Sequence, residues 1–286
     1  MGLAVFASVV VVLFGVGWLF LAGPAGLRAK YRSMAREGLS RAAESGVVTE
    51  EDVARLPPPV ERYLRRVGVV GAPRVHSYHV RFTGRIRSSA TSPWMPFVAD
   101  QRSFVRPATR LFFMRARMMG LPVDALHAYL GEDASMQVKV LSMLSMVDVR
   151  GAALAEAETV TLFNDMCVMA PATLIDPSIG WTPLDERRVS ATFTNAGHTI
   201  RATLVFDEAG DLVDFVSDDR GALQPDGVTF QKQRWSTPLA RHRQFGKFRL
   251  PSFGEARYHP STGEYAYGEF EMTAITYNET SLEGAE

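Results

Sequence analysis

VSATFTNAGHTIRATLVFDEAGDLVDFVS, residues 189–217, decides the fold. Val189, Ala191 and Phe193 alternate with Ser190, Thr192 and Thr194, the two-residue period of a strand with one buried face. Asn195-Ala196-Gly197 then supplies a hairpin turn, because asparagine and glycine tolerate the left-handed backbone that tight turns need. Ile200, Ala202, Leu204 and Phe206 alternate back. Asp207 to Asp211 turns again around Gly210 and leads into Leu212 to Ser217. Three consecutive strands joined by turns this short form an antiparallel meander.

Strand signals continue on both sides. Downstream lie Val228–Trp235, Gln244–Leu250, Gly254–His259 and Tyr265–Tyr277, the last with Ala266, Gly268, Phe270, Met272 and Ala274 on one face. Upstream, Tyr78, Val80, Phe82 and Ile86 alternate with polar partners. Phe97–Val105, Arg110–Met118, Asp124–Leu130 and Ser135–Val149 follow, with Gly131-Glu132-Asp133 as a turn. Between the two sets the period changes. Ala152–Ala170 contains Ala155, Val160, Leu162, Phe163, Met166 and Met169, has few β-branched residues and stops at Pro171, which predicts one helix. A pair of short helices around Asn164-Asp165 is the alternative.

Many strands, one apolar helix, then more strands imply an α+β, mostly antiparallel β fold. A wide sheet must bury one face, and this helix is the only sizeable cover, so a curved sheet wrapped around it as a half-barrel is expected. A β-sandwich is the second possibility.

Leu3 to Gly23 reads LAVFASVVVVLFGVGWLFLAG, 21 residues without a charge. At 1.5 Å per residue it spans a ~30 Å hydrocarbon core. It lacks the basic n-region of a cleaved signal peptide and exceeds a usual signal core. The expected organisation is a single-pass membrane helix (1–23), a basic juxtamembrane and helical linker (24–72), a β domain (73–278) and a disordered tail (279–286). In the linker, Pro57-Pro58-Pro59 precedes Val60, Tyr63, Leu64 and Val67, the stripe of a short amphipathic helix ending at Gly68. Arg28, Lys30, Arg32, Arg36 and Arg41 follow the membrane stretch, and by the positive-inside rule the domain is expected in the cytoplasm, with the extracytoplasmic side as the alternative. With Leu27, Tyr31, Met34 and Leu39 they could rest on anionic headgroups, or form a solvated connecting helix.

Net charge is zero, but removing residues 1–43 leaves 26 basic against 30 acidic side chains. That balance argues against a nucleic-acid partner. Cys167 is the only cysteine, so no intrachain disulfide can form and attachment through a lipid-modified cysteine after the apolar stretch is excluded.

Catalytic fingerprints are absent: no G-x-S-x-G, no phosphate-binding glycine loop, no H-E-x-x-H. His76 and His79 would point to opposite faces of a strand and cannot share a metal. Asp207, Asp211, Asp214, Asp218 and Asp219 alternate across a strand and its turn, whereas calcium needs about six converging oxygens. No metal or cofactor is expected. Asp219 falls in phase with Val213 and Phe215, on the inner face, where a carboxylate needs a partner; Arg220 next to it would point outward. Asn164 and Asp165 interrupt the apolar helix. Trp94 and Trp235 sit beside prolines at strand ends, where they anchor loops or rim a pocket. Met166 and Met169, with Met114, Met118, Met119, Met143 and Met146, offer adaptable apolar walls or simply fill an irregular core. The candidate ligand-binding residues are therefore Trp94, Gln101, Asn164, Asp165, Met166, Met169, Asp219, Arg220 and Trp235.

LPPPVERYL (56–64), WMPFVADQ (94–101), LFNDMCVMAPATLIDPSIGW (162–181), LVDFVSDDR (212–220), RWSTPL (234–239) and RLPSFGEARYHPSTGEYAYGEFEMTAITYN (249–278) together resemble a family of bacterial membrane-anchored proteins known only as a domain of unknown function. Tyr258 stands where that family tends to have tryptophan. The resemblance implies no activity. The layout is also similar to the half-barrels of lipoprotein carriers, an analogy of architecture alone. The expected function is a membrane-tethered binding module for an apolar or lipid-like ligand held between sheet and helix. Its alternatives are an assembly protein with a filled core, and, from the least support, an enzyme using Asp165, Asp219 or Arg220.

Overall fold

In the computed structural model, residues 26–41, 45–224, 226 and 229–282 are described. The expected membrane helix at 3–23 lies outside them. Among the described residues, no helix is long and apolar enough to cross a membrane.

Among the described residues, three short helices lead in: α1 Leu27–Leu39, α2 Glu50–Ala54 and α3 Pro58–Val67. α2 is fixed by a capping box in which Thr49 and Asp52 bond each other's backbone N–H. α3 ends at Gly68 in the left-handed conformation (φ 91°), as its stripe requires. Tyr63 of α3 packs on Phe206 and donates to the carbonyl of Cys167 at 2.7 Å.

Sixteen strands follow. β1 Ser77–Ile86, β2 Met95–Phe104, β3 Thr109–Met118, β4 Leu121–Leu130, β5 Asp133–Val140 and β6 Leu144–Arg150 form one meander. Helix α4, Ala152–Met169, and a 3₁₀ turn at Pro171–Ile175 come next. β7 Gly180–Pro183, β8 Arg188–Asn195, β9 His198–Phe206 and β10 Leu212–Ser217 make the second meander. β11 Gly221–Leu223 and β12 Phe230–Lys232 pair only with each other. β13 Trp235–Ser236, β14 Leu239–Phe245, β15 Phe248–Tyr258 and β16 Tyr265–Tyr277 complete the chain.

Fourteen of these strands share one antiparallel sheet, ordered β6-β5-β4-β3-β2-β1-β16-β15-β13-β10-β9-β8-β7, with β14 beside β15. The fold is thus a mostly antiparallel β sheet with a few helices, and the two-sheet sandwich does not occur. The last strand, β16, pairs with the first, β1, and so stitches the meanders together. α4 joins β6 to β7, the two edges. It must therefore cross the sheet, and it touches β5 and β6 on one arm and β9 and β10 on the other. Phe163, fully buried, stacks on Phe193 at 4.9 Å and meets Phe215 edge-on, which fixes the helix to the second meander.

Several elements depart from the sequence reading. Ser135–Val149 is a hairpin, because Leu141 and Ser142 take positive φ (53° and 56°) without glycine or asparagine to signal it. Ser142 Oγ donates to Asp124 Oδ2 at 2.6 Å, which offsets that cost. Val228–Trp235 is not one strand, since β12 and β13 belong to different sheets. Conversely, β15 runs unbroken through Pro251 and Gly254. β7 is an addition. At the start of the expected tail (279–286), Glu279 accepts from Arg102 at 2.6 Å and Leu282 packs against the cluster that includes α1; residues 283–286 lie outside the described residues.

α1 is neither solvated nor open to a membrane along its apolar stripe. Leu27, Tyr31 and Ala35 are buried against Phe104, Leu111, Phe113 and Leu126 on the sheet face opposite α4. Each large side chain covered this way contributes on the order of 1.5–3 kcal/mol.

Candidate functional site

Strand register determines which side chains meet α4. Gln101, Phe112 and His127 are successive partners across β2, β3 and β4, and Ser103, Arg110 and Tyr129 form the neighbouring row. Side chains two apart share a face, so Gln101, Arg110, Phe112, Met114, Ala125 and His127 all point to the helix side. On α4, Glu158, Thr161 and Asp165 are spaced three and four apart and lie on one face. Between these surfaces is a cavity of about 190 Å³.

Most of its wall is apolar. Phe82, Ile86, Phe270 and Met272 contribute from β1 and β16, Phe112 and Met114 from β3, and Val168 and Met169 from α4. Its polar part is a connected buried network. Asp165 Oδ2 accepts from Arg110 Nε at 2.6 Å and from Gln101 Nε2 at 2.7 Å. Glu158 accepts from Arg110 Nη1 through Oε2 and from Arg220 Nη2 through Oε1, both at 3.2 Å. Arg110 therefore bridges the two helix carboxylates, and Arg220 holds the second from the other side.

The two guanidinium groups balance the two carboxylates. Burial raises the Glu158 carboxyl, but Arg220 and Arg110 outweigh it and leave the group below its ordinary value. Asp165 remains above its ordinary value because burial exceeds the help of Arg110. His127 is pushed down to about 4 by burial, with Arg110 and Arg220 adding to the effect against Glu158, so its ring is neutral at neutral pH. Two buried polar atoms on the cavity wall, Thr161 Oγ1 and Arg220 Nε, have no hydrogen-bond partner among the described residues. Such atoms are costly to leave unpaired.

Of the residues singled out from sequence, Gln101, Asn164, Asp165, Met169, Arg220 and Trp235 line the cavity. Asn164 accepts from Thr237 Oγ1 at 2.7 Å, and Trp235 Nε1 donates to Tyr267 Oη at 3.1 Å beneath the Arg220 guanidinium. Met166 is buried in the core beside the cavity rather than on its wall. Trp94 is elsewhere, stacked under Arg85 and Arg87 at 4.7 and 4.5 Å.

Asp219 and Arg220 exchange the roles their phase implied. β10 ends at Ser217, whose hydroxyl accepts the N–H of Asp219 at 3.2 Å and turns the chain. The Asp219 carboxylate then takes the Arg201 N–H at 2.8 Å, while Ser217 Oγ donates to the Arg201 carbonyl at 2.6 Å. Asp219 thus replaces a lost ladder bond at the sheet surface, and Arg220 swings inward. The methionine reading also narrows: Met114, Met169 and Met272 line the cavity, but Met119, Met143 and Met146 are 97%, 40% and 62% exposed.

Arg110, Glu158, Thr161 and His127 were missed. Glu158 and Asp165 stand seven apart, two helical turns on one face, and that spacing inside an apolar helix was the available signal. Nothing in the local sequence distinguishes Arg110 from an outward strand arginine.

Among solved structures, a domain described as an outer-membrane lipoprotein-sorting protein from Vibrio parahaemolyticus is similar at 9% identity and TM-score 0.40, over 73% of this chain and 87% of that one. A DUF1329 family protein from Desulfovibrio piger is similar at 9% identity and TM-score 0.44, over 82% and 94%. A LolA superfamily protein from Nitrosomonas europaea is similar at 8% identity and TM-score 0.34, over 82% and 95%. No curated protein matches the chain. The family of unknown function DUF6544 matches residues 46–270, which takes in α2, α3, α4, every strand but the end of β16 and all of the cavity lining except Met272, and the chain belongs to that family.

Proposed function

We propose that the protein is a membrane-tethered binding module that holds an apolar or lipid-like ligand in the cavity between α4 and the sheet, which curves around the helix as a half-barrel. The observation that carries this reading is the cavity wall itself: phenylalanine, isoleucine, valine and methionine enclose about 190 Å³ beside an internally neutralised polar network. An apolar cavity of ~150 Å³ takes a benzene-sized ligand, so the space suits a small apolar molecule or one end of a longer chain. In this reading residues 3–23 hold the module to the bilayer, on the cytoplasmic side.

The test is displacement of a fluorescent fatty acid from the full chain in neutral detergent, together with mass spectrometry of solvent-extracted protein. Val168→Trp, which fills the cavity from α4, is expected to abolish probe binding while the melting temperature holds or rises. Equal probe binding by the filled variant would overturn the reading and favour an assembly protein with a filled core.

A further inference from the structure

A second concavity lies on the opposite face of the sheet, between α1 and β1–β3, with a volume of about 930 Å³. Alternation that sends Gln101 and Phe112 inward sends Asp100, Arg102, Phe113 and Arg115 outward to this groove. Tyr31 of α1 is anchored at its edge, stacked on Phe113 and donating its hydroxyl to Asp100. That anchor fixes the rotation of α1, so Arg28, Arg32 and Arg36, spaced four apart, turn one cationic row toward the groove.

The charge there is one-sided. Among the described residues, six arginines line the groove (28, 32, 36, 81, 102 and 115) against a single carboxylate, Asp100. Asp100 is already engaged by Tyr31 and by His79 Nε2 at 2.9 Å. Arg102 is paired with Glu279 at 2.6 Å and Arg115 with Asp124 at 3.1 Å. Arg28, Arg32 and Arg36 make no hydrogen bond or ion pair with any described residue, although like charges four apart repel along a helix. Burial, Arg32 and Arg115 together hold the Arg28 guanidinium below its ordinary value, a measure of that crowding. The floor is different: Val98, 55% exposed, lies with Phe113 and Leu282. A cationic rim over an apolar floor is complementary to a group with a phosphate at one end and hydrocarbon at the other.

We infer that this groove binds the phosphate headgroup of an anionic phospholipid, with Arg28, Arg32 and Arg36 receiving the phosphate and Val98 and Phe113 underlying the first carbons. Guanidinium forks match phosphate oxygens in pairs, which lysines would not do. The occupant follows from position as well as charge, because α1 begins four residues after the uncharged stretch 3–23. The site is separate from the α4 cavity and stands whether or not that cavity takes a ligand.

The experiment uses the full chain in a neutral maltoside detergent, with thermal melts against dioctanoyl phosphatidylglycerol, dioctanoyl phosphatidylcholine, inorganic phosphate and a single-stranded oligonucleotide. Saturating phosphatidylglycerol is expected to raise the melting temperature by roughly 5–10 °C, less at 0.5 M salt, as screening requires. Phosphatidylcholine and inorganic phosphate are expected to give less than half that shift. Arg32→Glu/Arg36→Glu is expected to lose the shift, and Arg55→Glu/Arg187→Glu, on exposed arginines outside the groove, to keep it. Equal shifts from both lipids, a full shift from inorganic phosphate, preference for the oligonucleotide, or a shift surviving in Arg32→Glu/Arg36→Glu would each overturn the assignment.

Discussion

Arg110 Nε lies 2.6 Å from Asp165 Oδ2, so a central strand and the covering helix are joined by a charged pair set in an apolar wall. Removing one partner of a buried pair leaves the other charge without compensation, which costs about 3–5 kcal/mol. Arg110→Met should therefore destabilise strongly, the more so because Glu158 loses a donor at the same time. Arg110→Met/Asp165→Leu should recover part of that loss, since apolar replacement of a whole pair is often tolerated. Denaturant unfolding of the two variants and of Asp165→Leu closes the cycle. Additive losses would mean that the pair is not coupled.

Asp219 and Arg220 give a sharper contrast. Asp219→Asn keeps an oxygen that can accept the Arg201 N–H and loses only an exposed contact with Lys232, so a change of about 0–1 kcal/mol is expected. Arg220→Met strips Glu158 of its second donor inside the cavity and should cost about 3 kcal/mol. Melting curves of the two variants side by side decide the matter, and a larger loss for Asp219→Asn would reverse the assignment of inner and outer faces.

That pair also shows how far the sequence could be read. Alternation located β8, β9 and β10 and both hairpins, because each strand has one apolar and one polar face. The loss of that period, with the stop at Pro171, located α4, whose Ala155, Val160, Leu162 and Phe163 are all buried. Alternation fails where a strand stops. Phe215, Ser217 and Asp219 are in phase, but the Ser217 hydroxyl ends the ladder two residues early and reverses the next two side chains. A bulge between Leu212 and Asp214 likewise makes Leu212, not Val213, the inner residue. Leu141 and Ser142 form a turn without glycine or asparagine, so one continuous strand signal concealed two strands. Arg110 was invisible for another reason: only the long-range partners Asp165 and Glu158 explain a buried arginine, and they lie 55 and 48 residues away.

Gly38 reports on the docking of α1. Glycine to alanine inside a helix ordinarily gains about 1 kcal/mol. Here a Cβ would collide with Cε2 and Cζ of the Phe104 ring, which is itself buried. Overpacking of that kind costs about 1–3 kcal/mol, so Gly38→Ala is expected to be net destabilising. A gain in chemical-denaturation midpoint would show that α1 does not lie against Phe104.

The side of the membrane is open to a direct assay. Arg28, Lys30, Arg32, Arg36 and Arg41 follow the uncharged stretch, and the positive-inside rule then predicts a cytoplasmic C-terminus. A fluorescent protein fused after Glu286 should be bright and an alkaline phosphatase fusion inactive. The reverse pattern would put the module outside the cytoplasm.

Asp214 supplies a pH signature. Burial pushes its carboxyl up to about 6 from an ordinary value near 3.8, against the opposing Phe215 N–H, which it accepts at 2.8 Å. The folded state thus favours the protonated form. The stabilisation is fully present below about pH 3.8 and is lost as pH rises through 6. At pH 8 the wild-type chain carries a half-buried carboxylate that folding disfavours. Asparagine keeps the acceptor for Phe215 and never ionises. Asp214→Asn should accordingly melt roughly 2–4 °C above wild type at pH 8, a range reduced for the group's partial exposure to water. The gap should narrow as pH falls below 6 and close only below about pH 3.8, where Asp214 is neutral in the folded and the unfolded chain alike. Asp100 and Asp211, which their hydrogen-bond partners hold below the ordinary carboxylate value against burial, are common to both proteins and cancel in the difference. A gap that is constant with pH, or that opens on the acid side, would show that Asp214 is ionised throughout.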